Sequence, residues 1–350
     1  MTPDLTAIEV IAPNLKRRLS GVTATIARLV PVQSAMIGIV ATGPGLPASL
    51  PHIPIWRCFV LPRDRLRVWH ARRNTEMLLG LLLRHVFRRR LALLFTSASQ
   101  RRHSVYTKWL IARMDGVVAT SHKTAAYLDR PAEVILHGID IAGFSPARDR
   151  AALRQHLGLP PDHVIFGCYG RIRVQKGTDV FVEAALALLA DRPHATAIVM
   201  GRATEGHEGF LRDLKDRAAA LGLAERMLFL PEVPVDEVAD WYRVLDLYVA
   251  PQRWEGFGLT PIEAMACGVP VVATRVGAFE EIVTEATGSL VPPGDADALR
   301  GTMTPWLDDR TRRAAGSEAA LARVRSRFRI EDEAAALVAV YRRLLAGGQE

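Results

Sequence analysis

Val249-Ala-Pro-Gln-Arg-Trp-Glu-Gly-Phe-Gly-Leu-Thr-Pro-Ile-Glu-Ala-Met-Ala-Cys-Gly-Val-Pro270 is the stretch from which the rest of the chain can be read. Its first residues close an apolar run, Leu247–Ala250, of strand length. A polar loop with glycines follows, and then a helix-forming segment begins. Thr260 is expected as the N-cap, Pro261 as the first helical residue, and Gly268 and Pro270 as the stop. Strand, glycine loop and helix form the repeating unit of an open α/β sheet.

The same alternation runs outward in both directions. Strand candidates precede it at Ile8–Ile11, Met36–Ala41, Leu66–Trp69, Leu91–Phe95, Gly116–Thr120 and Val134–Leu136. A second series comprises Val164–Cys168, Ala195–Met200, Met227–Leu230, Leu247–Ala250, Val269–Ala273 and Ser289–Val291. Helical patterns lie between them, among them Asp179–Ala190, Gly209–Leu221, Val235–Leu245 and Ile262–Ala266. Continuous apolar strands punctuated by helices imply parallel sheets covered on both faces. The fold class is therefore α/β, with two doubly wound, Rossmann-like domains expected at 1–150 and 151–330. The changeover is placed in Gly143–Asp162, where Pro146, Pro160 and Pro161 surround a short helical pattern, Ala151–Leu157. Glu331–Leu345 reads as one more helix.

Ligands of such sheets collect at the carboxyl ends of the strands, so the loops there carry the candidate chemistry. In the opening stretch the amides of Phe257, Gly258 and Leu259 gather near a helix start, which suits a diphosphate, and Gly256 is a further donor-site candidate beside them. Glu263 has two readings: the capping-box acid of Thr260-Pro-Ile-Glu263, or a ligand-binding carboxylate. Glu255 lies in the loop with no helix to cap, where it can accept hydrogen bonds from sugar hydroxyls. A second strand-to-helix loop, Gly170-Arg-Ile-Arg-Val-Gln-Lys-Gly177, brings Arg171 and Lys176, either a clamp for phosphates or a solvated basic loop. Neither a P-loop nor a dinucleotide GxGxxG fingerprint is present.

Composition narrows the classes further. No apolar run reaches the roughly 18 residues of a bilayer span, and the longest notable one is Met77–Leu83. The start, MTPDLTAIEVIAPN, is unlike a signal peptide, so a cytoplasmic protein is expected. Cys58, Cys168 and Cys267 are widely spaced, without metal-ligand spacing, and read as small core residues; no metal site is expected. Residues 1–150 hold 22 Lys and Arg against 9 Asp and Glu, a net of +13, whereas residues 151–350 hold 23 against 28, a net of −5. The basic half faces nucleic acid, a membrane surface or an acidic acceptor, unless it is simply a solvated face.

Arg171-x4-Lys176-Gly177, with Glu255-Gly-Phe-Gly-Leu-Thr-Pro-Ile-Glu263-Ala and Gly268-Val-Pro-Val-Val-Ala273, resembles the retaining glycosyltransferase family 4 over roughly residues 115–345. The resemblance implies the GT-B fold, two Rossmann-like domains with the active site in the cleft between them. It also implies that the last helix, 331–346, returns to the N-terminal domain. Glu263 would bind the donor ribose, Glu255 the transferred sugar, and Arg171 and Lys176 the diphosphate. The Phe257–Leu259 amides would hold phosphate or sugar. Val233 would read the base through its backbone, although Pro231 replaces the usual glycine. Gly21 would approach the phosphate, with Ser20 where a first glycine is common, and His70 would stand beside the anomeric carbon. Two other departures lie on the acceptor side: Thr96-Ser-Ala lacks the usual histidine, and His137-Gly-Ile-Asp140 replaces Asn-Gly-Val-Asp.

On the basic half, Trp69-His-Ala-Arg-Arg-Asn-Thr-Glu76 is similar to bacterial lipopolysaccharide-core mannosyltransferases. That likeness implies GDP-mannose as the nucleotide-sugar co-substrate, no metal, and an anionic lipid such as Kdo-lipid A as acceptor. Arg72, Arg73, Arg84, Arg88, Arg89 and Arg90 are then candidates for contact with the acceptor or the inner face of the membrane. Two rivals remain: a soluble enzyme of the same fold using a UDP-sugar and a small acceptor, and a basic nucleic-acid-binding protein. The second needs a groove-reading or stacking motif, which the sequence does not show.

Overall fold

The computed structural model describes residues 4–17 and 21–347 and divides into two compact units, Met1–Gly138 with Ile330–Glu350, and Ile139–Arg329. The first unit is built in chain order from β1 (Val10–Pro13), α1 (Gly21–Ser34), β2 (Ile39–Thr42), β3 (His52–Ile53), β4 (Arg67–Ala71), α2 (Asn74–His85), β5 (Leu91–Ser97), α3 (Val105–Ile111), β6 (Gly116–Ala119), α4 (His122–Ala125) and β7 (Glu133–Val134). Its seven strands are all parallel, in the order β3-β2-β1-β4-β5-β6-β7. Alternate residues serve opposite faces, as the two-residue period of a strand requires. Val10, Ala12, Val68 and Leu94 join one core layer, whereas Ile11, Trp69, Leu93 and Phe95 join the other.

The second unit continues with α5 (Arg150–His156), β8 (Val164–Tyr169), α6 (Thr178–Ala190), β9 (Ala195–Met200), α7 (Glu208–Ala220), β10 (Met227–Leu230), α8 (Val238–Arg243) and β11 (Leu247–Ala250). Then come α9 (Thr260–Ala266), β12 (Val271–Thr274), α10 (Phe279–Ile282), β13 (Gly288–Val291), α11 (Ala296–Asp308) and α12 (Arg310–Arg327). The six-stranded sheet is also parallel, ordered β10-β9-β8-β11-β12-β13. In each sheet the strand order reverses once, at β1/β4 and at β8/β11, which is where doubly wound folds open a crevice for ligands.

The last helix, α13 (Ile330–Ala346), packs with the first unit. Its apolar stripe of Ile330, Ala334, Leu337, Val338 and Tyr341 enters the layer formed by Val10, Ile26, Leu29 and Val30. The chain changes unit after Gly138, earlier than the prolines around 146–161 led one to expect. The reason is local bonding. Arg243 donates to the carbonyls of Gly143 and Ser145, the Phe144 ring lies tilted against Tyr242, and Ile139 bridges Arg329, so 139–149 already belongs to the second unit. Strand limits also shift: Ile8–Ile11 becomes Val10–Pro13, and Val134–Leu136 shrinks to Glu133–Val134.

Candidate active site

The two loops at the β8/β11 switch point are Gly170–Gly177 and Pro251–Leu259, and their meeting builds the site. Gly177 has φ +69°, and a Cβ there would lie 1.9 Å from the Pro251 carbonyl oxygen. Only glycine lets the backbones approach this closely. Arg253 then fastens one loop to the other. Its amide donates to Gln175 O at 3.0 Å, its guanidinium to Val174 O at 2.7 Å, and the same group grips both oxygens of Asp179 at 2.6 and 2.8 Å. A bidentate arginine fixes orientation as well as distance. Sequence reasoning missed Arg253, because nothing local marks it off from other loop arginines.

Held in this way, Lys176 and Glu255 form an ion pair through Nζ and Oε2. Oε1 of Glu255 accepts from the Gly256 amide at 3.0 Å. Both side chains remain about one-fifth exposed, so water and ligands reach them. Arg171 is exposed at the end of β8 and forms no hydrogen bond or ion pair among the described residues. Gly258 has φ +88° and packs against the Phe279 ring, which turns the loop into α9. The amides of Gly258 and Leu259 donate to no other group among the described residues.

The start of α9 corrects one expectation. Leu259 is the capping residue, Thr260 is already helical, and no side chain caps the helix. The capping-box account of Glu263 therefore fails. Its Oε2 instead accepts from the hydroxyl of Tyr242 at 2.9 Å. Tyr242 is buried, and burial together with the neighbouring Glu263 carboxylate raises its pKa well above the usual tyrosine value, so the phenol stays a donor. It rests on Tyr169 and Tyr248, with ring centres 5.0 and 5.3 Å away. Val233 is half-buried just beyond the end of β10.

In the first unit the expected residues have a different setting. His70, at the carboxyl end of β4, is fully buried, with Nδ1 2.7 Å from Tyr341 Oη and Nε2 2.6 Å from Thr96 Oγ1. Burial first, and Arg72 second, hold its pKa well below the ordinary histidine value, so the ring is neutral. Beside it lies a cavity of about 10 Å³ lined by Arg72, Thr96, Thr120, His137 and Glu333, enough for one water. Among the described residues, no protein partner reaches the buried Nη2 of Arg72 or Oγ1 of Thr120. Both ring nitrogens of His70 are thus used within the protein. His137 is also engaged, with Nδ1 2.7 Å from Glu333 Oε1. Gly21 opens α1, with nothing within 4 Å of a Cβ added there; Ser20 lies outside the described residues.

The basic residues divide into two groups. Arg73 turns inward, donating to Asn14 Oδ1 at 2.8 Å and to the buried Glu76 at 2.7 Å, which makes it a strut for its own loop. Arg84 is paired with Asp115 at 2.6 Å, and Arg89 donates to Leu61 O at 2.7 Å. Arg88 and Arg90 are exposed. Among the described residues no group of three or more His, Cys, Asp and Glu is gathered as metal ligands would be. No helix of the described residues is long and apolar enough to cross a membrane.

Comparison with known proteins identifies the family and the fold. The family described as glycosyl transferases group 1 matches residues 149–323. The lipopolysaccharide core biosynthesis mannosyltransferase LpsB of Rhizobium meliloti (strain 1021) is 54% identical over 98% of this chain and 99% of its own. LpcC of Rhizobium leguminosarum bv. viciae, which bears the same description, is 51% identical over 98% of each chain. A crystal structure of Anabaena Alr3699/HepE with UDP and glucose superposes with a TM-score of 0.82 at 20% identity, covering 95% of this chain and 99% of that one. That likeness gives the fold, GT-B, as the motifs implied. With two paired loops at the switch point of a parallel sheet and near-full-length likeness to named transferases, the chain is a glycosyltransferase and belongs to the group 1 family.

Proposed function

We propose that the protein transfers mannose from GDP-mannose, with retention, to an anionic glycolipid of the Kdo-lipid A type during lipopolysaccharide core assembly, at the cytoplasmic face of the membrane. The observation that carries the reading is the Lys176–Glu255 pair at the switch point of the second sheet. The two Rhizobium relatives, alike over almost the whole chain, support the sugar and the pathway.

Arrival of the diphosphate offers Lys176 a second anion. Its ammonium swings from Glu255 to phosphate and frees Oε2 to accept from sugar hydroxyls. Arg171 and the amides of Gly258 and Leu259 add to the positive surroundings of the leaving group. Glu263, steadied by Tyr242, accepts from the ribose hydroxyls. The bond from the anomeric carbon to phosphate oxygen breaks, and the acceptor oxygen bonds to the same face. The acceptor proton passes to the departing phosphate. Charge neutralisation falls to Arg171 and Lys176, so the reaction needs no divalent metal.

Thermal shift with GDP, UDP and ADP sugars, followed by transfer to Kdo-lipid A, tests the proposal. GDP-mannose should raise the melting temperature and label the lipid, with EDTA making no difference. A response to UDP-sugars alone overturns the donor, and loss of turnover in EDTA overturns the metal-free chemistry. Indifference to every nucleotide overturns the whole reading.

A further inference from the structure

The first unit carries an unusual surface that the proposed reaction does not use. Trp56 and Val60 lie in a 3-10 turn at Ile55–Val60 and are 59% and 55% exposed. Along α2, Leu78 and Leu82 are exposed one turn apart, and Val86 and Phe87 continue the row past its end. On α3, Val105 and Trp109 form a second exposed row, with Tyr106 stacked on Trp109. Side chains of this size normally go inside, and grouped exposure marks a surface that meets something.

These rows belong to one neighbourhood. The Phe59 ring meets the Phe87 ring edge-on at 4.8 Å, Arg63 donates to Phe87 O and Arg89 to Leu61 O. These contacts set the turn against the end of α2. Arg84 donates to Asp115 and to Arg113 O, and Asn74 to Thr107, which sets α3 beside α2.

The charge around the rows is mainly positive, although Arg84 and Lys108 are paired with Asp115 and Asp129 and Arg65 with Asp64. Residues 55–65, 82–90 and 101–113 hold eleven Lys and Arg and one acid, Asp64. Arg57 lies over the Trp56 ring and Arg113 over the Trp109 ring, at 5.5 and 3.9 Å. Several of these arginines donate only to carbonyl oxygens, which leaves their charge uncompensated. Arg88 sits at φ +53°, a left-handed conformation that non-glycine residues rarely adopt. Aromatic and aliphatic side chains ringed by arginines match an anionic lipid surface, in which rings enter the headgroup layer and guanidiniums meet phosphates.

We infer that Trp56, Val60, Leu82, Val86, Phe87 and Trp109, with Arg57, Arg88 and Arg90, form a docking face for an anionic bilayer. The inference rests on the lipid-acceptor reading above and deepens it. It also reassigns the membrane contact, because Arg73 and Arg84 are held within the unit whereas the two tryptophans were not among the sequence candidates.

Flotation of the full chain with vesicles of phosphatidylcholine alone, and with one-third phosphatidylglycerol, reads the face directly. Wild type should float with the anionic vesicles only. Trp56→Ser with Trp109→Ser, and separately Arg88→Glu with Arg90→Glu, should each lower binding about tenfold or more. Melting temperature and the GDP-mannose shift should be preserved in both variants. Wild type that stays unbound, or variants that float like wild type, overturns the docking face. A dimer in light scattering that these variants dissociate, without vesicle binding, assigns the face to a second copy and also overturns it. Because donor binding is measured apart from vesicles, loss of the GDP-mannose shift in wild type counts against the proposed reaction and not against the face.

Discussion

At the carboxyl end of β4, His70 is wholly buried with Tyr341 on one ring nitrogen and Thr96 on the other. At the carboxyl ends of β8 and β11, Lys176 and Glu255 hold each other in a partly exposed loop pair. Both are polar groups at the ligand-binding edge of a doubly wound sheet, and both have partners. The difference lies in what supplies the partner. In the first unit α13 supplies it, bringing Tyr341 and Glu333 over the strand ends and leaving room for about one water. In the second unit loops supply it, and both side chains stay about one-fifth exposed. A partner locked in the core stabilises, whereas one on a part-exposed loop stays open to solvent.

The sharpest way to break this comparison is at Glu255. Glu255→Gln should lower kcat by roughly a hundredfold or more, the scale of losing one charged contact in a transition state, with GDP affinity preserved. A titration of GDP beside the turnover assay decides it, and equal loss in both would make Glu255 part of the nucleotide site. Next in size is Tyr341→Phe, which orphans a nitrogen of buried His70 and should cost about 1–3 kcal/mol in urea unfolding, leaving GDP binding unchanged. His70 also sets a pH signature. Its folded pKa is depressed, so below about 6.5 the unfolded chain takes up the proton first and stability falls as pH drops. The slope of wild type relative to His70→Gln should approach about 1.4 kcal/mol per pH unit between pH 6 and 5, and vanish above pH 7.

Arg253→Ala tests whether the open edge needs its fastening. Loss of the grip on Asp179 should reduce kcat/KM about tenfold, and Arg253→Lys should restore little because the bidentate geometry is gone. Smallest of all, Tyr242→Phe removes one hydrogen bond to Glu263 and should weaken GDP binding only severalfold, readable by calorimetry.

Much of the second unit was legible because its strands are unbroken apolar runs: Ala195–Met200, Met227–Leu230 and Leu247–Ala250 appear with the expected limits. The first unit was harder. β3, only His52–Ile53 between Pro51 and Pro54, carries too little pattern to register. Glu255 stood out because a loop acid has no helix to serve. The fate of Glu263 depended on Tyr242, and that of His70 on Tyr341, partners 21 and 271 residues away. Local spacing cannot announce such contacts, and it also misplaced the start of α9, where Leu259 and not Thr260 is the cap. The charge of the basic half was legible from its composition, whereas the exposure of Trp56 and Trp109, 53 residues apart on a turn and on α3, was not.

The allegiance of α13 also orders events during synthesis. Residues 139–329 form an uninterrupted unit that can close as soon as they leave the ribosome. The unit made first must wait: Ile330, Leu337, Val338 and Tyr341 complete its core, and they are translated after everything else in both sheets. Until then, of the α1–α13 pair, α1 alone covers that face of the sheet, and His70 lacks its phenol. The earliest half of the molecule is thus the last to become native, which ties its maturation to completion of the second unit.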